Sequence, residues 1–148
     1  GDSAWSYRVG EVSEEAEALL KAGEEALSRG IATTLLGGKI SDIGRAIQTY
    51  VEGEGYYVVK KYVGHGVGSE LHEDPQVPNY VDRNILRHDP ELRDGLVLAI
   101  EPMVNLGTED TRVLNDGWTV VTTDRSLSVH FEHTVAVTPE GPKILTCC

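Results

Sequence analysis

The stretch Leu96-Val97-Leu98-Ala99-Ile100-Glu101-Pro102-Met103-Val104 decides the fold class. It is too short for a buried helix and is closed on either side by polar residues, so it reads as a buried strand. Phe131 to Thr138 repeats the pattern, with Glu132 set between Val129, Phe131 and Thr134-Val135. Trp118 to Thr122 and Lys143 to Thr146 read as further strands, and Asp116-Gly117 marks a tight turn. Upstream the period changes. Ser13 is a good N-cap, with Glu14 and Glu15 in the first turn and Ala16, Leu19, Leu20, Gly23 and Leu27 at helical spacing. Gly37-Gly38 breaks that helix. Ser41 is expected to cap a second one, which buries Ile43, Ile47, Tyr50 and Val51 and ends at Gly55. Tyr7 to Gly10 reads as a short strand, Tyr56 to Val63 as β-rich, Gly64 to Tyr80 as a structured loop and Asp82 to Asp94 as a surface excursion. Helices followed by strands make an α+β layer, a mainly antiparallel sheet with helices on one face.

A chain of 148 residues suits one domain, and 40% hydrophobic with 25% charged residues is a soluble, globular composition. The formal charge of −11 argues against nucleic acid as a partner, which calls for clustered Lys and Arg. No apolar run reaches ~18 residues, so neither a membrane span nor a membrane partner is expected. The two cysteines, Cys147 and Cys148, are adjacent at the end and do not staple a core, which favours a cytoplasmic location. The chain starts at Gly1, and a secretory signal is not expected.

Three segments carry chemistry: Gly64-His65-Gly66-Val67-Gly68 running on to Leu71-His72-Glu73-Asp74-Pro75, then Ile100-Glu101-Pro102-Met103, then Phe131-Glu132-His133-Thr134. A carboxylate in a buried strand is costly unless it is paired or holds a metal. The plainer reading is an edge position or an Arg partner for either glutamate, a structural role for a lone histidine, and an ordinary glycine loop. A phosphate cradle at Gly64–Gly68 is disfavoured by His-Glu-Asp-Pro beside it. Two carboxylates, His65 and an acidic residue near the N-terminus make a mixed N/O set, which suits Mn, Fe, Co or Zn in a hydrolytic site. Histidines seven apart in a glycine-rich loop are not a zincin helix. His133 follows Glu132 and points to the opposite face of a strand, a structural role. His88 and His130 read as surface residues, and Trp118 as core.

These strings, together with Asp116-Gly117-Trp118-Thr119 and the opening Gly1-Asp2-Ser3, resemble the methionine aminopeptidases over essentially the whole chain, in order and at the expected spacing. The absence of long insertions resembles type I. The resemblance implies a pita-bread fold (creatinase/aminopeptidase-like), mainly its C-terminal half, with residues 1–148 as a metallopeptidase catalytic domain truncated at its N-terminus. It implies two divalent ions, Co, Mn, Fe or Zn, held by Asp2, His65, Glu101 and Glu132, with Asp2 and Glu132 shared between them. By the same likeness, Glu101 also moves a proton and His72 contacts the scissile peptide. Leu71 and Trp118 line the methionine side-chain pocket, although an aromatic is more familiar at the first. The family's first aspartate ligand belongs upstream of Asp2, so one ion site is expected to be weakened, and an N-terminal half is an expected partner. The activity implied is removal of N-terminal methionine from nascent peptides. A proline-specific peptidase of the same fold and a non-catalytic pita-bread binding module are the rivals.

Overall fold

The computed structural model describes residues 1–147. Helix α1 spans Glu14–Ala32 and begins as its sequence dictates, with the Ser13 hydroxyl accepting from the Ala16 N–H at 3.2 Å and Glu14, Glu15 and Glu17 in the first turn. Its buried stripe of Leu19, Leu27 and Ile31 faces the sheets. Gly23 sits where α1 presses on Phe131, and a Cβ there would stand 2.7 Å from the ring. Helix α2, Ile40–Gly53, starts before Ser41, contrary to expectation. Asp42 caps it instead, accepting from the Lys39 N–H at 2.9 Å, while Ser41 is buried and its N–H goes to Asp89 Oδ1. Ile43, Ile47 and Val51 are fully buried, and Tyr50 lies half-buried under the Arg29 guanidinium at 4.3 Å.

The strands are short: β1 Tyr57–Val58, β2 Gly64–Gly66, β3 Glu73–Val77, β4 Val97–Ile100, β5 Met103–Asn105, β6 Thr111–Val113, β7 Val120–Thr122, β8 Ser128–His130, β9 His133–Thr138 and β10 Gly141–Ile144. They form a five-stranded sheet in the order β10-β9-β4-β2-β3, a three-stranded sheet β1-β5-β8 and a separate hairpin β6-β7, antiparallel throughout. Leu98, Ile100, Val104, Phe131 and Val135 pack from the sheets against α1 and α2. Each such fully buried side chain contributes about 1.5–3 kcal/mol. The α+β layering expected from the sequence is therefore observed.

Several local expectations change. Leu96 to Val104 is two strands in two sheets, because Pro102 has no N–H with which to continue a ladder. Phe131 to Thr138 is likewise interrupted: β8 ends at His130 and β9 begins at His133. Gly64 to Tyr80 is a hairpin, β2 with β3, and its glycines serve close packing. A Cβ at Gly64 would collide with the Ala99 carbonyl oxygen, and one at Gly66 with that of Asp74. Tyr7 to Gly10 forms no strand. The pairing lies earlier, where the Ala4 carbonyl accepts from Glu132 N–H at 2.8 Å, and beyond Ser6 the chain meets no partner strand, leaving Val9 90% exposed. Trp118 is not core: it is 87% exposed at the tip of the β6-β7 hairpin. Asp82 to Asp94 is a surface excursion with one 3-10 turn, Ile85–Arg87, pinned by the fully buried Leu92. Cys147 is exposed, and Cys148 lies outside the described residues.

Candidate metal centre

Both interruptions occur at the same place. The chain crosses from the five-stranded to the three-stranded sheet at Glu101-Pro102 and returns at Phe131-Glu132. On one side of the gap Ile100 pairs with His133, and on the other Met103 pairs with His130. Within it the Phe131 N–H reaches the Pro102 carbonyl at 3.3 Å, while the Glu132 N–H turns away to Ala4. The two carboxylates thus project where the ladder opens, with the backbone locked by strands before and after.

His65 comes from β2, which pairs with β4 so that His65 faces Ala99. Its Nδ1 donates to the Gly66 carbonyl at 2.9 Å. A carbonyl can only accept, so that bond fixes the tautomer and leaves the Nε2 lone pair free. Nε2 lies 3.5 Å from Glu101 Oε1 and 3.7 Å from Asp2 Oδ2. Two ligands of one tetrahedral ion at 2.0–2.2 Å subtend about 3.4 Å, so these separations suit a shared cation. Ligand atoms of His65, Glu101 and Glu132 all lie within 4.8 Å of one another.

Glu132 is 4% exposed, and its Oε1 is buried without a hydrogen-bond partner. Burial, with Glu101 and Asp2 nearby, pushes its pKa up from 4.5 to about 7. An orphaned, crowded, acceptor-only carboxyl facing two other carboxyls and an imidazole fits a divalent cation, which would satisfy the lone pairs and neutralise the repulsion. Asp2 arrives on the N-terminal segment. Its N–H donates to Thr134 Oγ1 and its carbonyl accepts from the same hydroxyl, both at 2.7 Å.

The structure therefore brings Asp2, His65, Glu101 and Glu132 together. His72 is exposed on the turn between β2 and β3, its ring 4.2 Å from that of His65. His133 points away, as alternation requires: Nδ1 meets Thr146 Oγ1 at 2.9 Å, its ring tilts against Trp5, and burial lowers its pKa. Leu71 and Trp118 are 52% and 87% exposed. His88 remains on the surface excursion. His130 is a correction. Its Nε2 is buried, 3.4 Å from Glu101 Oε2, where the sequence suggested a surface residue. It precedes Glu132 by two in extended chain, and that same-face spacing was the available signal. Asn79 was also missed: fully buried, it donates through Nδ2 to the Glu101 carbonyl at 3.2 Å. A broad hollow between the outer faces of α1 and α2, walled by Arg29, Leu35, Arg45 and Ala46, contains none of these donors.

A helix-backed antiparallel frame that gathers carboxylates and one imidazole in this way has the donor set of a metal-dependent hydrolase. The chain belongs to metallopeptidase family M24, whose sequence profile matches residues 1–139. It is 52% identical over 146 residues to methionine aminopeptidase 1 of Bacillus subtilis, covering 99% of this chain and 58% of that one. It is 50% identical to methionine aminopeptidase of Aquifex aeolicus, covering 99% of this chain and 56% of the relative. The crystal structure of methionine aminopeptidase from Thermotoga maritima superposes with a TM-score of 0.93 at 46% identity, over 99% of this chain and 57% of that chain. The fold is accordingly the pita-bread fold, of which this chain carries the C-terminal part. X-Pro aminopeptidase from the same organism shares the fold alone, with a TM-score of 0.74 at 20% identity. The chain spans a little over half the length of the curated relatives it matches.

Proposed function

We propose that residues 1–148 belong to the catalytic domain of a cytoplasmic, metal-dependent aminopeptidase that removes N-terminal methionine from nascent proteins. The observation that carries this reading is the Glu132 carboxyl, buried and unpartnered among Asp2, His65 and Glu101. Likeness to methionine aminopeptidases across nearly the whole chain supports the substrate. Two divalent ions, Co, Mn, Fe or Zn, held by these four residues would polarise the scissile carbonyl and acidify the attacking water.

The chain's own groups perform the rest. His65 presents a single oriented nitrogen because Gly66 holds its other one. Glu101 splits its oxygens, Oε1 3.5 Å from His65 Nε2 and Oε2 3.4 Å from His130 Nε2, so one oxygen can accept the nucleophile's proton while the other faces a different partner. Asn79 fixes the backbone on which Glu101 turns. His72, on the open rim beside His65, donates to the carbonyl oxygen as charge develops there. Leu71 and Trp118 wall the methionine side chain, and their exposure means that substrate or chain beyond these residues completes the pocket.

The donors divide unevenly. His65 and Glu101 serve one ion, Asp2 and Glu132 are shared, and the second ion has only the shared pair from this chain. One ion is therefore held far more tightly than the other, and a segment supplying the family's further aspartate equalises them. The test is calorimetric titration of the metal-free chain with Mn, alongside hydrolysis of Met-Ala and Xaa-Pro peptides by the full-length protein. One tight and one weak site, with cleavage confined to Met-Ala, is expected. Two equally tight sites would overturn the ligand division, and a preference for Xaa-Pro would make this a proline-specific peptidase. Absence of both binding and cleavage would leave a pita-bread binding module.

A further inference from the structure

His65 belongs to two ligand groups at once. Besides the inner group with Glu101 and Glu132, ligand atoms of Asp2, His65 and His72 also lie within 4.8 Å of one another. We propose that Asp2, His65 and His72 form an outer cation position that competes with the inner one for the His65 imidazole and, when filled, takes His72 out of use. The proposal rests on the ligand reading above and goes beyond it, since that reading gives His72 no metal.

The competition follows from the tautomer. With Nδ1 donating to Gly66, His65 has one lone pair, on Nε2. Nε2 has two carboxylate neighbours, Glu101 Oε1 at 3.5 Å and Asp2 Oδ2 at 3.7 Å. One lone pair binds one ion, so an ion at the outer position deprives the inner one of its only imidazole. The His72 ring lies 4.2 Å from that of His65, inclined at 51°, so a modest turn of an exposed side chain brings its nitrogen onto the same ion.

The two positions differ in chemistry and in access. The inner, with the shared Asp2 counted, has three carboxylates and one imidazole, a set that suits Mn and Fe. The outer has two imidazoles and one carboxylate, a set that favours the more imidazole-seeking Zn. Glu132 Oε1 is closed to solvent, whereas His72 is exposed and Asp2 half-exposed. Zinc in excess therefore reaches the outer position directly. It captures the imidazole that the proposed reaction needs at the substrate carbonyl, and metal excess becomes self-limiting.

Calorimetry on the metal-free chain separates the possibilities, with Zn and Mn titrated into wild type, His72→Ala and Glu101→Gln. His72→Ala is expected to weaken Zn at least ~10-fold, since even an indirect partner of a metal ligand is worth that much. It should leave Mn within about twofold, and that unchanged Mn affinity also shows the variant folded. Glu101→Gln should weaken Mn most. The electron paramagnetic resonance signal of released Mn should rise on adding Zn to the Mn-loaded wild type, with about tenfold more Zn needed in His72→Ala. Unchanged Zn affinity in His72→Ala, with Mn lost in Glu101→Gln, overturns the outer position and leaves the inner one standing. Equal loss of both metals in His72→Ala overturns the division by ion type. Failure of Glu101→Gln to weaken either metal overturns the inner ligand reading itself.

Discussion

Glu101 and Glu132 occupy the inner half of the proposed metal centre, and Asp2 and His72 its proposed outer half; the two halves are held by different means. Each glutamate is flanked by paired strands on both sides, so its Cα position is dictated by two sheets at once. Asp2 is on the N-terminal segment, tied down chiefly by one threonine hydroxyl, and His72 is on an open turn. Rigid placement of acceptor-only groups stores repulsion that only a cation or a proton relieves. Looser placement allows a side chain to change partners. The inner half thus suits permanent ligation and the outer half exchange.

The largest effect should come from attacking the rigid half. Glu101→Gln and Glu132→Gln are expected to abolish activity in the full-length protein and to reduce Mn affinity of this chain by orders of magnitude, whereas Asp2→Asn should cost roughly ten- to a hundredfold. Calorimetry with circular dichroism as the folding control would decide. Equal losses at Glu132 and Asp2 would erase the distinction between the halves.

Next in size is the pH dependence of the metal-free chain. The folded pKa of Glu132 is raised from 4.5 to about 7, so the folded state retains a proton that the unfolded chain gives up. The stabilisation from this proton is complete below about pH 4.5, is lost as pH rises to about 7, and stays lost above. The ceiling is about 3 kcal/mol, or several degrees in Tm. Glu132→Gln should be free of this fall, and bound Mn should reverse it, because the cation favours the carboxylate. Wild-type and Glu132→Gln melting curves that run parallel from pH 5 to pH 8 would contradict the buried, crowded carboxyl.

The smallest effects test the periphery. Thr134→Val removes both bonds to Asp2 and should cost about 1–2 kcal/mol of stability with a several-fold loss of metal affinity. Trp118→Ala should stay within about 0.5 kcal/mol of wild type in urea unfolding, given its exposure. A larger loss there would restore the tryptophan to a core.

Much of this was legible in the sequence because the relevant periods are short. The α1 stripe, the strand character around Glu101 and Glu132, and the outward turn of His133 all follow from spacing alone. Of the proposed donors, Glu101 and Glu132 were legible as charges out of place, while Asp2 was named by resemblance. What spacing could not show was that each glutamate stands at a change of sheet, because an apolar run looks the same whether it stays in one sheet or crosses to another; Pro102 was the visible clue. Glycines posed a similar ambiguity, since those at 64 and 66 could mark a loop or a tight strand approach, and only the carbonyls of Ala99 and Asp74 tell which. The residues Tyr7 to Gly10 have strand composition, yet a strand exists only where a neighbour receives its hydrogen bonds. Trp118 shows the converse, an aromatic left on the outside because the hairpin carrying it stands apart from both sheets.

The paired crossings also determine where this chain tolerates changes in length. The β6-β7 arm hangs from the far ends of β5 and β8, so residues can be added to or removed from it while the pairing of Met103 with His130 stays in step. A single-residue deletion within β4 or β9 has the opposite result. Side chains alternate along a strand, so a slip of one would turn Glu101 or Glu132 from the shared hollow toward Leu98 and the helices. Loop length in the arm can thus vary without moving the two carboxylates, at a cost confined to the place of Trp118, while between Val97 and Ile100, and between His133 and Thr138, variation is confined to substitution.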